Sequence, residues 1–545
     1  MTTAGLPLLP LTAGGCLSAR AALGGYPFTL GVASGEPLAD GFVLWTRLAP
    51  RPMEPGGGMA AVPVRVGWSV SEDAAMSRVV ASGQALASPT GGHSVHVELH
   101  GLKPDRHYWY RFTVGGEASE IGRARTTPTV GAPAERMRFC FTSCQKYEAG
   151  FYAGYHHLVE DDPDLILFLG DYIYEGDPGS RQSVRLHQNP EPVDIDGYRM
   201  RYATYKSDPL LQAAHAAAPW MVIWDDHEVV NDYGADIDES GDPVAFLRRR
   251  AAAYQAYYEH MPLRRRSLPV GPDMQLYRTL NWGRLAQFQL VDNRQYRQPT
   301  PCPAPGSNSK LIPDCDARRD PARALLGQRQ ESWLLETFSN SRARWNLMAQ
   351  QTLFGPMNLR DPVDMAQVRY SNDGWDGAPA TRDRITARGV EASTSNPLVL
   401  GGDVHAFAAA SVENGVSGPV VASEFVGGSI TSLGMDPAVA ARIQALNPRM
   451  DLFDSGRRGY TRVDVTPARA EMAFRALADA RDPASTVSTL AGATTTRPTW
   501  SRSSCSSQCF RPRITPSPVS PVHSARQTGS GRTNRRCASS AASRR

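Results

Sequence analysis

Two hydrophobic periodicities divide the chain. Between residues 26 and 130, apolar and polar positions alternate in short runs: Gly41–Arg47 (GFVLWTR), Val62–Val70 (VPVRVGWSV), His93–Leu99 (HSVHVEL) and His107–Phe112 (HYWYRF). A period of two puts one face of a strand on a core and the other toward water, and the Gly, Pro and Asp residues between the runs supply turns. No helical run interrupts this stretch, so a small β-sandwich domain is expected over residues 26–130.

A Thr/Pro/Gly-rich linker (TTPTVGAPAER) follows at Thr126–Arg136, and the texture then changes. Met137–Phe141, Leu165–Leu169 (LILFL), Met221–Trp224 and Leu398–Leu400 are unbroken apolar runs of strand length. Strands buried on both faces in layered α/β proteins read this way. Helical stretches are predicted at Phe151–Glu160, Val244–His260 and Gln328–Ser339. Each apolar run ends in a polar cluster. The first leads to Cys144; the second gives Asp171, Tyr174 and Glu175 in GDYIYE. The third gives Asp225, Asp226, His227, Glu228 and Asn231 in WDDHEVVND, and the fourth Asp403 and His405 in GGDVH. Ligands of open α/β sheets bind beyond the carboxyl ends of the strands, so these clusters are expected to converge.

Thiol, phenol, imidazole and carboxylate then meet with neither a Gly-rich nucleotide loop nor a GxSxG nucleophile elbow nearby. This set suits hydrolysis by bound metal ions. Tyrosinate, thiolate and carboxylate favour Fe3+, whereas carboxylate and amide oxygens suit Ca2+, with Asp171 able to bridge. Cys140 reads as a buried apolar residue. Asp225 and Glu228 are candidates for tuning His227, and Arg294 for approaching a phosphate, with a salt bridge as its alternative. Trp375 and Asp376, in a Gly-rich loop, read as packing rather than as a substrate rim.

Charge is divided along the chain. The formal net charge is +4, but residues 486–545 hold ten Arg and no Lys, Asp or Glu, leaving 48 basic against 54 acidic residues in the remainder. The acidic body gives no sign of nucleic-acid binding, which would rest on the tail alone. Residues 491–545 are rich in Ser, Thr, Pro and Arg, and disorder is expected there, as in a shifted reading frame or an unrelated fusion. Residues 1–25 are apolar and small-residue-rich without a basic start, as expected of a remnant export signal or a flexible N-terminus. No apolar stretch reaches the ~18 residues of a membrane span. Cys302 and Cys315 bracket a Pro/Gly/Ser-rich loop, as a loop disulfide would or as two free thiols.

The motifs GDxxY, a strand-end Asp-His-Glu and a late GDVH resemble the calcineurin-like metallophosphoesterases. The variant with Cys144 first, Tyr174 three residues after Asp171, and WDDHEVVND resembles the PhoD-like alkaline phosphatases. Supporting stretches are FTLGVASGEPLADGFVLWTRL, VDNRQYR at Val291–Arg297, RWNLMAQQTLF at Arg344–Phe354 and SNDGWDG at Ser371–Gly377. GLKPDRHYWYRF is similar to the corresponding turn and strand of fibronectin type III domains. The resemblance spans roughly residues 26–490. It implies an α/β fold: a four-layer α/β/β/α metallophosphoesterase sandwich over 137–490, preceded by the β-sandwich. It places Fe3+ on Cys144, Asp171 and Tyr174, makes Asp171 the bridge between Fe3+ and Ca2+, and puts the remaining metal positions on Asp226, Asn231, Asp403 and His405, undivided between the two ions. His227 would face the phosphate or leaving group. The implied activity is a secreted, periplasmic or envelope-associated alkaline phosphatase, monomeric, cleaving phosphomonoesters and phosphodiesters by in-line attack of a metal-bound hydroxide. The alternatives are a phosphodiesterase or phospholipase D-like enzyme on envelope polymers or lipids, and a non-catalytic binding protein. The twin-arginine pair usual for the family's export is missing, and Thr486–Leu490 begins a closing strand that the following residues are not expected to continue.

Overall fold

A computed structural model describes residues 23–177, 179, 183–302, 310–360, 366–415, 417–496 and 513–516. The N-terminal segment 1–22 and most of the Arg-rich tail lie outside the described residues, and with them the export-signal reading. The predicted apolar runs become strands Met137–Thr142, Leu165–Leu169, Pro219–Ile223 and Pro397–Gly401. Leu165–Leu169 and Pro219–Ile223 are buried at every position, which is why they carry no polar alternation.

Two large sheets form. The first has ten strands and places Met137–Thr142, Leu165–Leu169 and Pro219–Ile223 side by side and parallel. The second has seven, with Ala286–Leu290, Trp345–Ala349, Pro397–Gly401 and Val420–Gly427 parallel at its centre. They pack face to face: Phe139 of the first meets Phe288 of the second edge-on at 5.2 Å, and Phe407 meets Phe474 at 5.7 Å. Helices Ala153–Glu160, Ile195–Lys206, Pro209–Ala217 and Pro243–His260 flank the first sheet. Gly327–Asn340 and Pro379–Glu391 cover the second through Leu334, Phe338 and Ile385, packed with Met348 and Val399. The expected α/β/β/α layering is therefore present.

The N-terminal region is β-rich, as expected, but it is not set apart. Val32–Leu38 pairs in parallel with Pro219–Ile223, so Val32–Leu38, Gly41–Arg47 and Ser94–Glu98 extend the ten-stranded sheet. The remaining strands form a five-stranded sheet over a core of Val66, Val70, Tyr110 and Phe112 against Phe42 and Leu44. The sandwich thus borrows one layer from the catalytic sheet.

The boundary expected at residue 490 also moves. Strand Val487–Thr496 stays paired with Arg469–Leu477 through Thr496. Ala491, Ala493 and Thr495 are buried: the small residues of AGATTT alternate, which suffices to cover an open sheet edge. Within the stretch expected to be disordered, Arg513–Pro516 pairs with that strand in turn, and Ile514 packs on the core. Cys302 and Cys315 form a disulfide. No helix among the described residues is long and apolar enough to cross a membrane.

Candidate metal centre

The carboxyl ends of the parallel strands from both sheets meet at one edge of the core, and the polar clusters sit there. Chain reversal directly after a buried strand leaves little room. Gly170 has φ +101°, and a Cβ on it would lie 2.5 Å from the Asp225 Cβ. A Cβ on Gly402 would lie 2.5 Å from the Ser143 hydroxyl. The glycines of GDYIYE and GGDVH thus let neighbouring strand ends touch. The donors themselves are strained: Cys144, Asp171, Asp403 and His405 have φ of 57°, 59°, 60° and 50°. Such backbone in non-glycine residues costs on the order of 1–3 kcal/mol each and concentrates at functional sites.

Two donor triads result. Cys144 Sγ, Asp171 and His405 offer atoms within 4.8 Å of one another, and so do Asp171, Asp226 and His227. Asp171 belongs to both. The Tyr174 hydroxyl donates to Asp171 Oδ2 at 2.8 Å and lies 3.2 Å from His405 Nε2. His405 Nδ1 is 2.7 Å from the Leu433 carbonyl, which can only accept. The proton is therefore on Nδ1, and the Nε2 lone pair faces the cluster. Asp171 Oδ1 is buried and has no hydrogen-bond partner. Buried carboxylate oxygens are rarely left so, and a cation would satisfy this one. Sulfur, imidazole, phenol and carboxylate donors fit the metals that the residue types suggested.

His227 is oriented by Glu175, whose Oε2 lies 2.7 Å from Nδ1, and its ring packs on that of Tyr174 at 4.1 Å. The expected partners Asp225 and Glu228 do other work. Glu228 turns back into the strand ends, where it accepts from the backbone N–H of Asp225 at 2.8 Å and of Asp171 at 3.2 Å. Asp225 accepts from Arg294 Nε. Arg294 is fully buried and also meets Asp373 at 2.9 Å and Asp226 at 3.6 Å. The salt-bridge alternative for Arg294 therefore holds, and its expected approach to phosphate is corrected: its guanidinium is spent among acids behind the site. Three of the expected ligands, Tyr174, Asn231 and Asp403, enter neither triad, and of these Asn231 is turned away from the cluster. It is exposed, and its amide donates to Asp232 at 2.7 Å. Asp403 is outside both triads but close enough to raise the proton affinity of Cys144 and Asp225. Trp375 is buried with Nε1 on Gln350 at 2.9 Å, and Asp376 pairs with Arg382, so this loop is packing, as read.

Several contributors carried no usable sequence signal. The Ser432 hydroxyl lies 2.7 Å from the Tyr174 oxygen and 2.8 Å from the Cys144 carbonyl. Arg458 grips the carbonyl of His405 at 2.9 Å and the Ser429 hydroxyl at 2.9 Å. Asp373 lies within the SNDGWDG stretch and Glu175 within GDYIYE, where neither residue type by itself points to its partner.

Electrostatically the pocket is a concentration of acid. Burial, with Asp226 and Glu228 adding to it, pushes Asp171 up to about 8. Burial likewise drives Asp403 well above the carboxylate range. Burial opposes protonation of His227, but Glu175, Asp171 and Asp226 outweigh it and raise its pKa well above the usual value. Burial holds His405 down to about 4, so it is neutral and free to ligate. Carboxylates with a raised folded pKa, and a histidine with a raised one, both lose stabilisation as pH climbs. Chelator-stripped protein should therefore melt lower at pH 8 than at pH 5.5. A carboxylate shifted from ~3.9 to that height contributes a slope of up to about 1.4 kcal/mol per pH unit across that window. Metal loading should flatten the trend, and a chelated protein whose melting temperature is the same at both pH values would contradict this electrostatic picture.

Comparison with known proteins is consistent along the chain. Residues 139–474 match the PhoD-like phosphatase family and residues 15–128 the PhoD-like phosphatase N-terminal domain. Alkaline phosphatase D of Bacillus subtilis (strain 168) is 46% identical over 477 residues, covering 86% of this chain and 80% of that protein. A solved structure of PhoD superposes with a TM-score of 0.83 at 45% identity, covering 87% of this chain and 91% of that one.

Proposed function

Since the chain belongs to the PhoD-like phosphatase family, we propose that it is a secreted alkaline phosphatase that cleaves both phosphomonoesters and phosphodiesters with the help of Fe3+ and Ca2+. Family membership makes it a phosphoric ester hydrolase. The observation that carries the metal reading is the place of Asp171 between Cys144 and His405 on one side and Asp226 on the other, with its Oδ1 buried and unpartnered. Cys144, Asp171, Tyr174 and His405 would hold Fe3+; Asp171, Asp226 and Asp403, with Asn231 toward the rim, would hold Ca2+. Bound ions of this kind neutralise phosphoryl charge and activate water for in-line attack.

The chain's own residues do the rest. Glu175 fixes the Nδ1 proton of His227 and favours the imidazolium, so Nε2 is the atom that presents a proton toward the leaving oxygen. Tyr174 supports the same ring through its face. Arg294 balances Asp225, Asp226 and Asp373 from behind, so that the donors can be packed together without spreading apart. The Cys302–Cys315 disulfide supports an oxidising location outside the cytoplasm.

The test combines substrate and spectrum. Purified protein loaded with iron and calcium should hydrolyse p-nitrophenyl phosphate and its bis ester, and show a visible tyrosinate-to-iron absorption. Tyr174→Phe should bleach that band and reduce turnover. Preparations in which metal analysis finds neither ion, and in which Tyr174→Phe changes neither spectrum nor rate, would overturn the assignment. Strong preference for the bis ester would move the reading toward a phosphodiesterase.

A further inference from the structure

A second donor cluster lies away from the catalytic centre, on helix Ala153–Glu160. This helix buries Ala153, Gly154, Tyr155 and Leu158 against the sheet and turns His156, His157 and Glu160 outward. His156 and His157 sit four and three residues before Glu160, the spacings that place side chains beside one another on a helix. His156 Nε2 is 3.4 Å from Glu160 Oε1, and His157 Nδ1 is 3.0 Å from Glu160 Oε2. One donor atom from each of the three lies within 4.8 Å of the others.

The orientation of His157 is the decisive feature. Its Nε2 lies 2.8 Å from the Ser485 carbonyl, which can only accept, so Nε2 carries the proton. Metal-binding histidines are commonly held in this way, with the second nitrogen donating to a carbonyl. Nδ1 is then a lone pair aimed at a carboxylate, and two acceptors at hydrogen-bond distance need a cation between them. Either a second proton or a metal ion supplies it. The second imidazole, His156, brings its Nε2 to the same carboxylate at 3.4 Å, so a metal held by His157 and Glu160 would find a third donor in place.

We propose that His156, His157 and Glu160 form a binding site for a borderline divalent cation such as Zn2+. Two imidazoles and one carboxylate, completed by water, are a zinc donor set. The ion would clamp the helix, through His157, to the turn at Ser485 that leads into strand Val487–Thr496. The site is separate from phosphate chemistry. The helix follows a strand that ends at the catalytic edge and precedes Leu165–Leu169, which starts at the opposite edge, so Glu160 lies toward the far side.

The experiment uses the metal-loaded enzyme, dialysed against micromolar Zn2+ near neutral pH, with His156→Ala and Glu160→Gln alongside. Both side chains are more than half exposed, at 58% and 59%, so the variants should fold. Wild type should retain about one zinc more than either variant, or bind it at least about tenfold more tightly, with phosphatase activity the same in all three. Cu2+ substituted at the site should show nitrogen coupling that both variants lose. Equal zinc content and affinity across the three proteins would overturn the proposal and leave His156, His157 and Glu160 as a surface pairing without a metal.

Discussion

Replacing Asp171 by Asn should lower kcat on p-nitrophenyl phosphate by on the order of 10³-fold or more, about 4 kcal/mol of transition-state stabilisation. The side chain belongs to both donor triads, and no other residue among the described ones does. An amide keeps the shape and can still accept from Tyr174, so folding survives; what is lost is the negative charge that two cations would share. Metal content should fall with the rate. The stripped variant should also melt above the stripped wild type, because it removes a carboxylate that burial makes costly to ionise, and this gain should be largest at alkaline pH. Wild-type turnover with full metal occupancy in Asp171→Asn would show that the centre lies elsewhere.

Arg294→Met should act on stability before it acts on chemistry. Arg294 meets Asp225, Asp226 and Asp373, all of them buried. Asp373 is held well below the ordinary carboxylate range by Arg294 and Arg297, which overcome its burial. Removing one member of a buried ion network strands the charges of the others and costs about 3–5 kcal/mol. The unfolding midpoint in urea should drop accordingly at pH 7. The loss should shrink toward pH 5, because carboxylates deprived of their cation gain protons more readily. If Arg294 instead contacted phosphate, the variant would keep its unfolding midpoint and lose only activity, which is the outcome that would restore the catalytic reading.

Much of this is legible in residue order alone. Leu165–Leu169 and Gly41–Arg47 occupy the spans that the pattern predicts; Gly41–Arg47, expected to face water on one side, is instead buried at every position because it lies inside the ten-stranded sheet between two layers. The donor clusters are legible too. A ligand at the end of a buried strand must follow an apolar run, often after a glycine that allows strand ends to touch.

Pairings across the fold were not legible. Glu175 reaches His227 over 52 positions, Arg294 reaches Asp225 over 69, and Ser432 reaches Tyr174 over 258. Nothing in the local order of WDDHE distinguishes the acid that faces the cluster from the acid that faces an arginine behind it. The parallel pairing of Val32–Leu38 with Pro219–Ile223, and the continuation of the closing strand to Thr496, likewise depend on which sheet edge is open.

The sequence by itself determined the strands, the layered α/β class, the family resemblance and the inventory of metal-capable residues, since each is set by local periodicity or by residue type at a strand end. The tertiary structure decided the roles within that inventory. Left-handed backbone at Cys144, Asp171, Asp403 and His405, and burial of Arg294 beneath them, fix where each side chain points. Orientation over a few ångströms separates a donor shared by two triads from a buried counter-charge, and only the packed chain sets it.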